Sequence, residues 1–163
     1  MRTIKQTIYE FSELSEKSKY NALNLLSDIN TDQEWYDFYY DDINAIGMKC
    51  KGFDIYNNYC TLEFIDDSQI TAEKIILNHG QKCQTYLIAI EHIKNVKKDK
   101  DLLEDEYEYS DEEEFNDMKF LEDLGKEYLS LLRLEYEYQT SEEAIISTIE
   151  SNEYEFTEDG KLY

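Results

Sequence analysis

The 163 residues carry 38 acidic against 16 basic side chains, which gives a formal net charge of −22 at pH 7. A surface of this sign repels nucleic acid and anionic lipid, so direct binding to either is disfavoured and a basic protein surface is its natural complement. Hydrophobic residues make up 41% of the chain and aromatic residues 14%, which is more than an intrinsically disordered acidic protein contains. We therefore expect a folded core beneath an acidic surface.

Composition also predicts a single domain over 1–163. The chain has no proline and five glycines, and no stretch has the composition of an interdomain linker. The three cysteines, Cys50, Cys60 and Cys83, are odd in number and lack metal-ligand spacing, which predicts buried reduced thiols. No segment reads as a signal peptide or approaches the roughly 20 apolar residues of a membrane span, so we expect a cytoplasmic protein.

The first third of the chain is expected to form a strand and two helices. Residues 2–11 alternate weakly between apolar and polar types, as in a strand. Ser12 or Ser15 then caps a helix, and the spacing of Thr31 and Glu34 predicts a capping box that opens a second helix. The predicted inward faces are Ala22, Leu25, Leu26 and Ile29 in the first helix, and Trp35, Phe38, Tyr39, Ile43 and Ile46 in the second, which Gly47 ends.

Residues 53–64 read as a β-hairpin. Asn tolerates the positive φ of a two-residue type I′ turn, which places the turn at Asn57 and Asn58. The turn then sets the predicted pairs: Tyr56 with Tyr59, Ile55 with Cys60, and Phe53 with Leu62. One side of the ribbon is apolar, which fits this register: Phe53, Ile55, Cys60, Leu62 and Phe64.

Helices dominate the rest of the chain. We expect a short helix over 71–79 closed by Gly80, a longer one over 81–98 with Cys83, Leu87, Ile90 and Ile93 inward, and a long one from Asp111 to about Tyr138. The inward stripe of the long helix is predicted as Phe115, Met118, Leu121, Leu124, Tyr128, Leu131 and Leu132. Thr140 and Glu143 have the spacing of a capping box, which predicts the start of a last helix. Residues 153–156 have the pattern of a strand, and a turn is expected after it at Asp159 and Gly160.

These elements predict an α+β fold. A small antiparallel sheet is expected from the N-terminal strand, the central hairpin and the C-terminal strand. Several helices would pack against it.

Three parts of the chain together resemble a known group: 10–17, 34–37, and 135–144 continuing to 152–160. They are similar to small acidic phage and prophage proteins that are loosely labelled antitoxin-like. In that group the hairpin region carries a Gly-rich segment with Ser and Trp, from which 52–60 departs. The resemblance implies a phage or prophage setting and supplies no catalytic residue.

Two acidic features are candidate partner-binding sites, because ordered carboxylates can stand in for phosphates before a basic groove. One is a row on the second helix at i, i+3 and i+7, with two neighbours; the other is an acidic run whose tyrosines could stack on Arg. Tyr56 and Tyr59 of the hairpin are a third candidate contact. The predicted residues are Asp32, Glu34, Asp37, Asp41 and Asp42 for the row, and Glu104, Asp105, Glu106, Tyr107, Glu108, Tyr109, Asp111, Glu112, Glu113 and Glu114 for the run. The competing interpretation is a solvated acidic surface.

No nucleophile elbow, phosphate loop or zinc signature is present, so the sequence predicts no enzyme, no cofactor and no metal. His79 and His92 lie in no metal-binding pattern, and we expect them at the surface or at helix ends. Acid–base catalysis by a carboxylate depends on three-dimensional geometry and stays open.

The sequence therefore favours a phage-encoded inhibitor acting in the host cytoplasm. Its acidic surface would occupy the basic groove of a host defence or nucleic-acid-processing protein, and an anti-CRISPR protein acting on a Cas effector is the most concrete version. The alternative is an antitoxin-like or phage accessory protein that acts by protein–protein interaction or homo-oligomerisation. Partner, stoichiometry and the acidic face used are not encoded in any motif.

Overall fold

The computed structural model describes residues 6–102 and 111–163, without the side chains of 97–102 and 111–112. The elements in chain order are β1 (Tyr9–Glu10), α1 (Glu16–Leu25), α2 (Asp37–Ala45), β2 (Met48–Asp54), β3 (Tyr59–Phe64), α3 (Ser68–Asn78), α4 (Gln84–Leu102), α5 (Asp111–Gln139), α6 (Glu142–Ser151) and β4 (Glu155–Phe156).

The chain divides into two compact units. Unit 1 combines Met1–Trp35 with Leu134–Tyr163, and unit 2 is Tyr36–Arg133. The expectation of a single domain stays a prediction.

The predicted α+β class is confirmed, with helices forming most of the described chain. Among the described residues the named strands pair as two antiparallel two-stranded sheets, β1 with β4 and β2 with β3, and not as one sheet. The reason lies in the units: the two terminal strands belong to unit 1, whereas the hairpin belongs to unit 2. None of the described helices has the length and apolar character needed to cross a membrane.

Unit 1 forms around a small apolar core. The rings of Phe11 and Phe156 meet edge to face, with centroids 6.0 Å apart, beside the β1–β4 pair. The core residues come from both ends of the chain: Phe11, Leu14, Ala22, Ile145, Ile149 and Phe156. Their burial holds the two chain ends together through apolar contact, because two-residue strands contribute few hydrogen bonds.

The helix caps of unit 1 are serines. Ser15 caps α1 by accepting a hydrogen bond from the Ser18 N–H, which confirms one of the two predicted caps. In α6 the cap is Ser141, which accepts from the Ala144 N–H, so the capping box predicted at Thr140 is wrong. The buried face of α1 follows i, i+4 spacing and leaves Leu25 exposed, contrary to prediction.

The second helix begins later than its spacing predicted. The Thr31 hydroxyl donates to the Asp28 carbonyl oxygen and does not cap a helix, and α2 starts at Asp37. Phe38 therefore lies in the first turn, five positions before the buried Ile43, and five positions turn a side chain about 140° away. It is 75% exposed, so its predicted inward placement is wrong. The helix ends before Gly47 as predicted, where φ is +83°.

Unit 2 holds the larger core. The hairpin and α2 to α5 enclose it, and the apolar side predicted for the hairpin supplies part of it. Its buried members are Ile43, Ile46, Met48, Cys50, Leu62, Ala72, Ile75, Ala89, Phe120, Leu124 and Tyr128.

β2 and β3 form the predicted hairpin, but four residues, 55–58, connect the strands. The observed pairs are Asp54 with Tyr59, Phe53 with Cys60, and Cys50 with Leu62. The predicted register is therefore wrong for Tyr56 with Tyr59, Ile55 with Cys60, and Phe53 with Leu62.

The Asp54 carboxylate explains the longer loop. Its Oδ1 accepts hydrogen bonds of 2.8 Å from the backbone N–H groups of Tyr56 and Asn57. Asn58 has the positive φ of 63° that the sequence predicted, but a type I′ turn would need positive φ at Asn57 as well. A side chain that satisfies two loop amides thus replaces the tight turn.

A bulge in β2 shifts the register between Cys50 and Gly52. Gly52 has φ of +154°, a conformation that L side chains rarely adopt. On the solvent side of β2, Lys49 lies opposite Glu63 and Lys51 forms a 2.8 Å ion pair with the same carboxylate.

The inward stripe predicted for α4 is rotated, whereas the stripe predicted for α5 is confirmed from Leu121 onward and wrong only at its first two residues. Among the described side chains of α4 the buried ones are Thr85, Ala89, His92 and Val96, while Leu87 is exposed and Cys83 lies exposed before the helix. On α5 the buried residues include Phe120, Leu124, Tyr128 and Leu132, while Phe115 and Met118 are exposed. The stripe on α4 was missed because two of its members are polar: the Thr85 hydroxyl lies 2.7 Å from His79 Nδ1, and the His92 ring stacks on Phe120. All three thiols are free, Cys50 buried and Cys60 half-buried, so the prediction of burial is wrong for Cys83.

Candidate functional site

The acidic row is shorter than predicted. Asp37 and Asp41 lie at i and i+4 on α2, so they share one exposed helix face in unit 2. Asp32 and Glu34 are also exposed, but they belong to the non-helical end of the first segment of unit 1. A continuous helical row from Glu34 is therefore wrong, and its rigid part consists of Asp37 and Asp41.

Asp42, the fifth residue of the predicted row, belongs to a polar network inside unit 2. Its Oδ2 accepts a 2.7 Å hydrogen bond from the Tyr128 hydroxyl, and its Oδ1 lies 3.3 Å from His79 Nε2. His79 Nδ1 is in turn 2.7 Å from the Thr85 hydroxyl. The network links α2, the end of α3, and the helices α4 and α5.

The order carboxylate, imidazole, hydroxyl is the order of a catalytic triad, but the hydroxyl cannot be reached. Thr85 is 4% exposed, and a nucleophile must contact its substrate. We therefore assign the network a structural role. His79 lies at the end of α3 as predicted, whereas the placement predicted for His92 is wrong, since it is buried within α4 and stacks on Phe120 at 4.2 Å.

The network holds Asp42 as a carboxylate. Burial raises its pKa, but the contacts from His79 and the hydrogen bond from Tyr128 outweigh burial, so that the pKa lies below its usual value. Burial, together with the hydrogen bond to Asp42, raises the pKa of Tyr128 and keeps its proton in place. Asp42 is thus an acidic residue that stabilises unit 2 and contributes less free surface than Asp41.

The hairpin loop presents two tyrosines on a fixed support. Tyr56 is 79% exposed and Tyr59 is 50% exposed, and their role as partner contacts stays a prediction. Arg133 of α5 holds the loop by donating hydrogen bonds of 2.8 Å to the Ile55 carbonyl oxygen and 2.9 Å to Asn58 Oδ1. The loop is therefore ordered by side chains on both of its flanks.

Most of the predicted acidic run lies outside the described residues. This applies to Glu104, Asp105, Glu106, Tyr107, Glu108 and Tyr109, and to the side chains of Asp111 and Glu112. Glu113 and Glu114 are described within α5, Glu113 half-buried and Glu114 exposed. Their role as partner-binding residues stays a prediction.

A cavity in unit 1 was missed by sequence reasoning. It has a volume of about 710 Å³, and the turn after β1 and the end of α6 supply its walls. Four carboxylates line it together with the rings of Phe11 and Tyr154; they belong to Glu10, Glu150, Glu153 and Glu155. The lining comes from opposite ends of the chain, so no local pattern could reveal it.

The described residues contain no group of three or more His, Cys, Asp or Glu side chains that could hold a metal ion. Comparison of the chain with known protein families, with curated proteins and with solved structures finds no match. The resemblance to phage and prophage proteins therefore stays a prediction.

Proposed function

We propose that the protein is a phage-encoded inhibitor that binds a basic host protein through its acidic surface. The partner would be a host defence or nucleic-acid-processing protein, such as a Cas effector, and binding would take place in the host cytoplasm. The inhibitor would occupy the groove in which Lys and Arg side chains hold nucleic acid. The partner could then not load its nucleic acid.

The observation that carries the proposal is the excess of carboxylates over cations. Even if each of the 16 basic residues paired with one acid, 22 acidic side chains would remain. Exposed acids lie on helices of both units, for example Asp41 on α2 and Glu143 on α6. A field of this size accelerates the encounter with a positively charged groove and opposes nucleic acid itself.

Helix α2 supports a contact with arginine in particular. Phe38 is 75% exposed, follows Asp37 in sequence and precedes Asp41 by three positions, which places it about 60° around the helix from Asp41. A guanidinium group can pair with a carboxylate and stack on an aromatic ring at the same time. This pairing of groups distinguishes α2 from a merely solvated acidic face.

The hairpin loop adds preformed aromatic contacts in the same unit. Because Asp54 and Arg133 fix the loop, Tyr56 and Tyr59 would lose little conformational freedom on binding. Tyrosines on an ordered support are typical of residues that contribute strongly to protein interfaces. Their rings could fill positions that bases occupy in the groove.

The first experiment is affinity purification from host cells at low and at high salt, followed by association kinetics with the purified partner. The test variant is Asp37→Lys with Asp41→Lys. The matched control is Glu73→Lys with Glu137→Lys, which makes the same change in charge at exposed helical positions elsewhere.

We expect association to slow by about tenfold or more in the α2 variant and by less in the control, because steering depends on the local field as well as on net charge. Raising salt should reduce the difference, since the Debye length falls to about 3 Å at 1 M. Equal rates in wild type and both variants, with no dependence on salt, would refute the proposal. A closed homo-oligomer in sedimentation with no host partner would favour the accessory-protein alternative.

A further inference from the structure

Helix α5 exposes two large apolar side chains in the part that belongs to unit 2. Phe115 is 62% exposed and Met118 is 55% exposed. They lie three positions apart, so they are neighbours on one face of the helix. The opposite face carries Phe120 and Leu124, which are buried in the core of unit 2. The apolar pair therefore contributes little to that core and leaves an apolar surface open.

Carboxylates surround this apolar pair. Glu114 and Glu122 are exposed and lie one helical turn before and one turn after Met118. Residues 113–126 contain five acids and two lysines. Both lysines are already paired, one with Glu91 of α4 and the other with Glu122 itself. The segment thus joins apolar area to an excess of negative charge. We call four of its residues the α5 patch: Glu114, Phe115, Met118 and Glu122.

The α5 patch lies on a helix that is anchored from its other side. Phe120 stacks on His92 of α4, with ring centroids 4.2 Å apart. Lys119 adds an ion pair of 2.8 Å with Glu91 of the same helix. The backbone under the patch is therefore already ordered, so binding costs little backbone freedom. Met118 supplies an unbranched side chain that adapts to the shape of an apolar surface.

Charge decides which partner can cover the α5 patch. A second copy of the chain would bring its own five acids of 113–126 against the first, and each copy has a net charge of −22. The fitting partner offers apolar side chains to Phe115 and Met118 and positive charge to the carboxylates beside them. A basic amphipathic helix carries both, because its apolar residues recur at i, i+3, i+4 and i+7 with Lys or Arg along the edges.

We propose that the α5 patch binds a basic amphipathic helix of a partner protein. The apolar stripe of the partner helix packs on Phe115 and Met118. Its Lys or Arg side chains pair with Glu114 and Glu122. The inference rests on the proposed function for the basic character of the partner, and it adds the kind of element that unit 2 recognises.

The test compares two synthetic peptides of equal charge with the full chain. One is an amphipathic helix of leucine and lysine, and the other has glutamine in place of every leucine. Calorimetry should show that the leucine peptide binds more tightly by about tenfold or more, because it buries two large apolar side chains. Raising salt should weaken the binding of both peptides and preserve their ratio, since salt screens charge and not apolar contact.

Substitutions at the surface locate the binding site. Phe115→Ser with Met118→Ser should lower the affinity for the leucine peptide by about tenfold and leave the affinity for the glutamine peptide unchanged. The matched control is Ile70→Ser with Leu77→Ser, which removes two exposed apolar side chains from α3. This control should keep the full preference for leucine.

Three results would overturn the proposal. One is equal affinity of the unsubstituted chain for the two peptides, a comparison that does not depend on the folding of any variant. Another is an unchanged preference for leucine in the variant of Phe115 and Met118. A homodimer in sedimentation that this variant dissociates would assign the α5 patch to a second copy instead. None of these results affects the proposed function, whose own test measures association through Asp37 and Asp41.

Discussion

Replacement of Gly125 by alanine tests how closely α5 packs on the hairpin. Helix α5 has this glycine at a buried position in its middle, where alanine is normally preferred. A Cβ atom there would lie 2.6 Å from the Cys60 carbonyl oxygen, closer than the 3.0 Å below which something must shift. The atom in the way is backbone, so a rotamer change cannot relieve the contact.

Two opposing free energies decide the sign. Intrinsic helix propensity favours alanine over glycine by about 1 kcal/mol. Overpacking that forces a backbone shift costs about 1 to 3 kcal/mol. We therefore expect Gly125→Ala to lower the free energy of unfolding by about 1 kcal/mol, whereas the same substitution at an open helical position would raise it by a similar amount.

Urea titration followed by far-UV circular dichroism measures this difference. A shift of the unfolding midpoint with an unchanged m-value reports a change in the free energy of unfolding. The matched control is Ser130→Ala, at an exposed position of the same helix, which should raise stability by about 0.5 kcal/mol or less. A Gly125→Ala protein about 1 kcal/mol more stable than wild type would refute the close packing of α5 on β3. Loss of a single cooperative transition would prevent a two-state reading, and hydrogen exchange at β3 would then report the same perturbation locally.

Two further predictions concern buried polar groups. Tyr128→Phe removes the hydroxyl that donates a hydrogen bond to Asp42, so urea titration should show a free energy of unfolding lower by about 1.5 to 3 kcal/mol. The control is Tyr138→Phe at an exposed site, which should change the free energy of unfolding by less than about 0.5 kcal/mol. Burial lowers the pKa of His92, and the nearby Asp117 carboxylate opposes this shift only in part. Near pH 6.5, the usual pKa of histidine, the unfolded chain therefore binds more protons than the folded chain. The free energy of unfolding should fall as the pH falls through that range. Thermal melts at about pH 7.5 and 5.5 should show a smaller loss of Tm in His92→Gln than in wild type, and equal losses would contradict the prediction.

The sequence predicted elements whose signal is local. The long helix α5, the cap at Ser15 and the presence of the hairpin follow from periodicity and side-chain chemistry within a few residues. The hairpin register was wrong because the Asp54 carboxylate and the bulge at Gly52 act against the turn preference of two asparagines. Periodicity also missed His92, since a polar residue can occupy a core stripe where an aromatic ring stacks on it.

The candidate sites likewise include features that local sequence predicts and features that depend on tertiary structure. Exposure of Tyr59 could be predicted from alternation along β3, whereas Tyr56 is exposed because it lies in the loop between the strands. The network around Asp42, in contrast, depends on helices that are distant in sequence. Such groupings are tertiary, and no spacing in the chain indicates them.

The lysines of β2 have a consequence for self-association. Within the described residues β2 pairs with β3 alone, so its outer edge carries backbone groups that another strand could join. Lys49 and Lys51 stand on this strand, two of only 16 basic residues in the chain. A second copy approaching in the same way would bring its own lysines against them, and this repulsion protects an open edge from growth into an aggregate. Two of the few basic residues thus oppose edge-to-edge pairing of the hairpin with another copy.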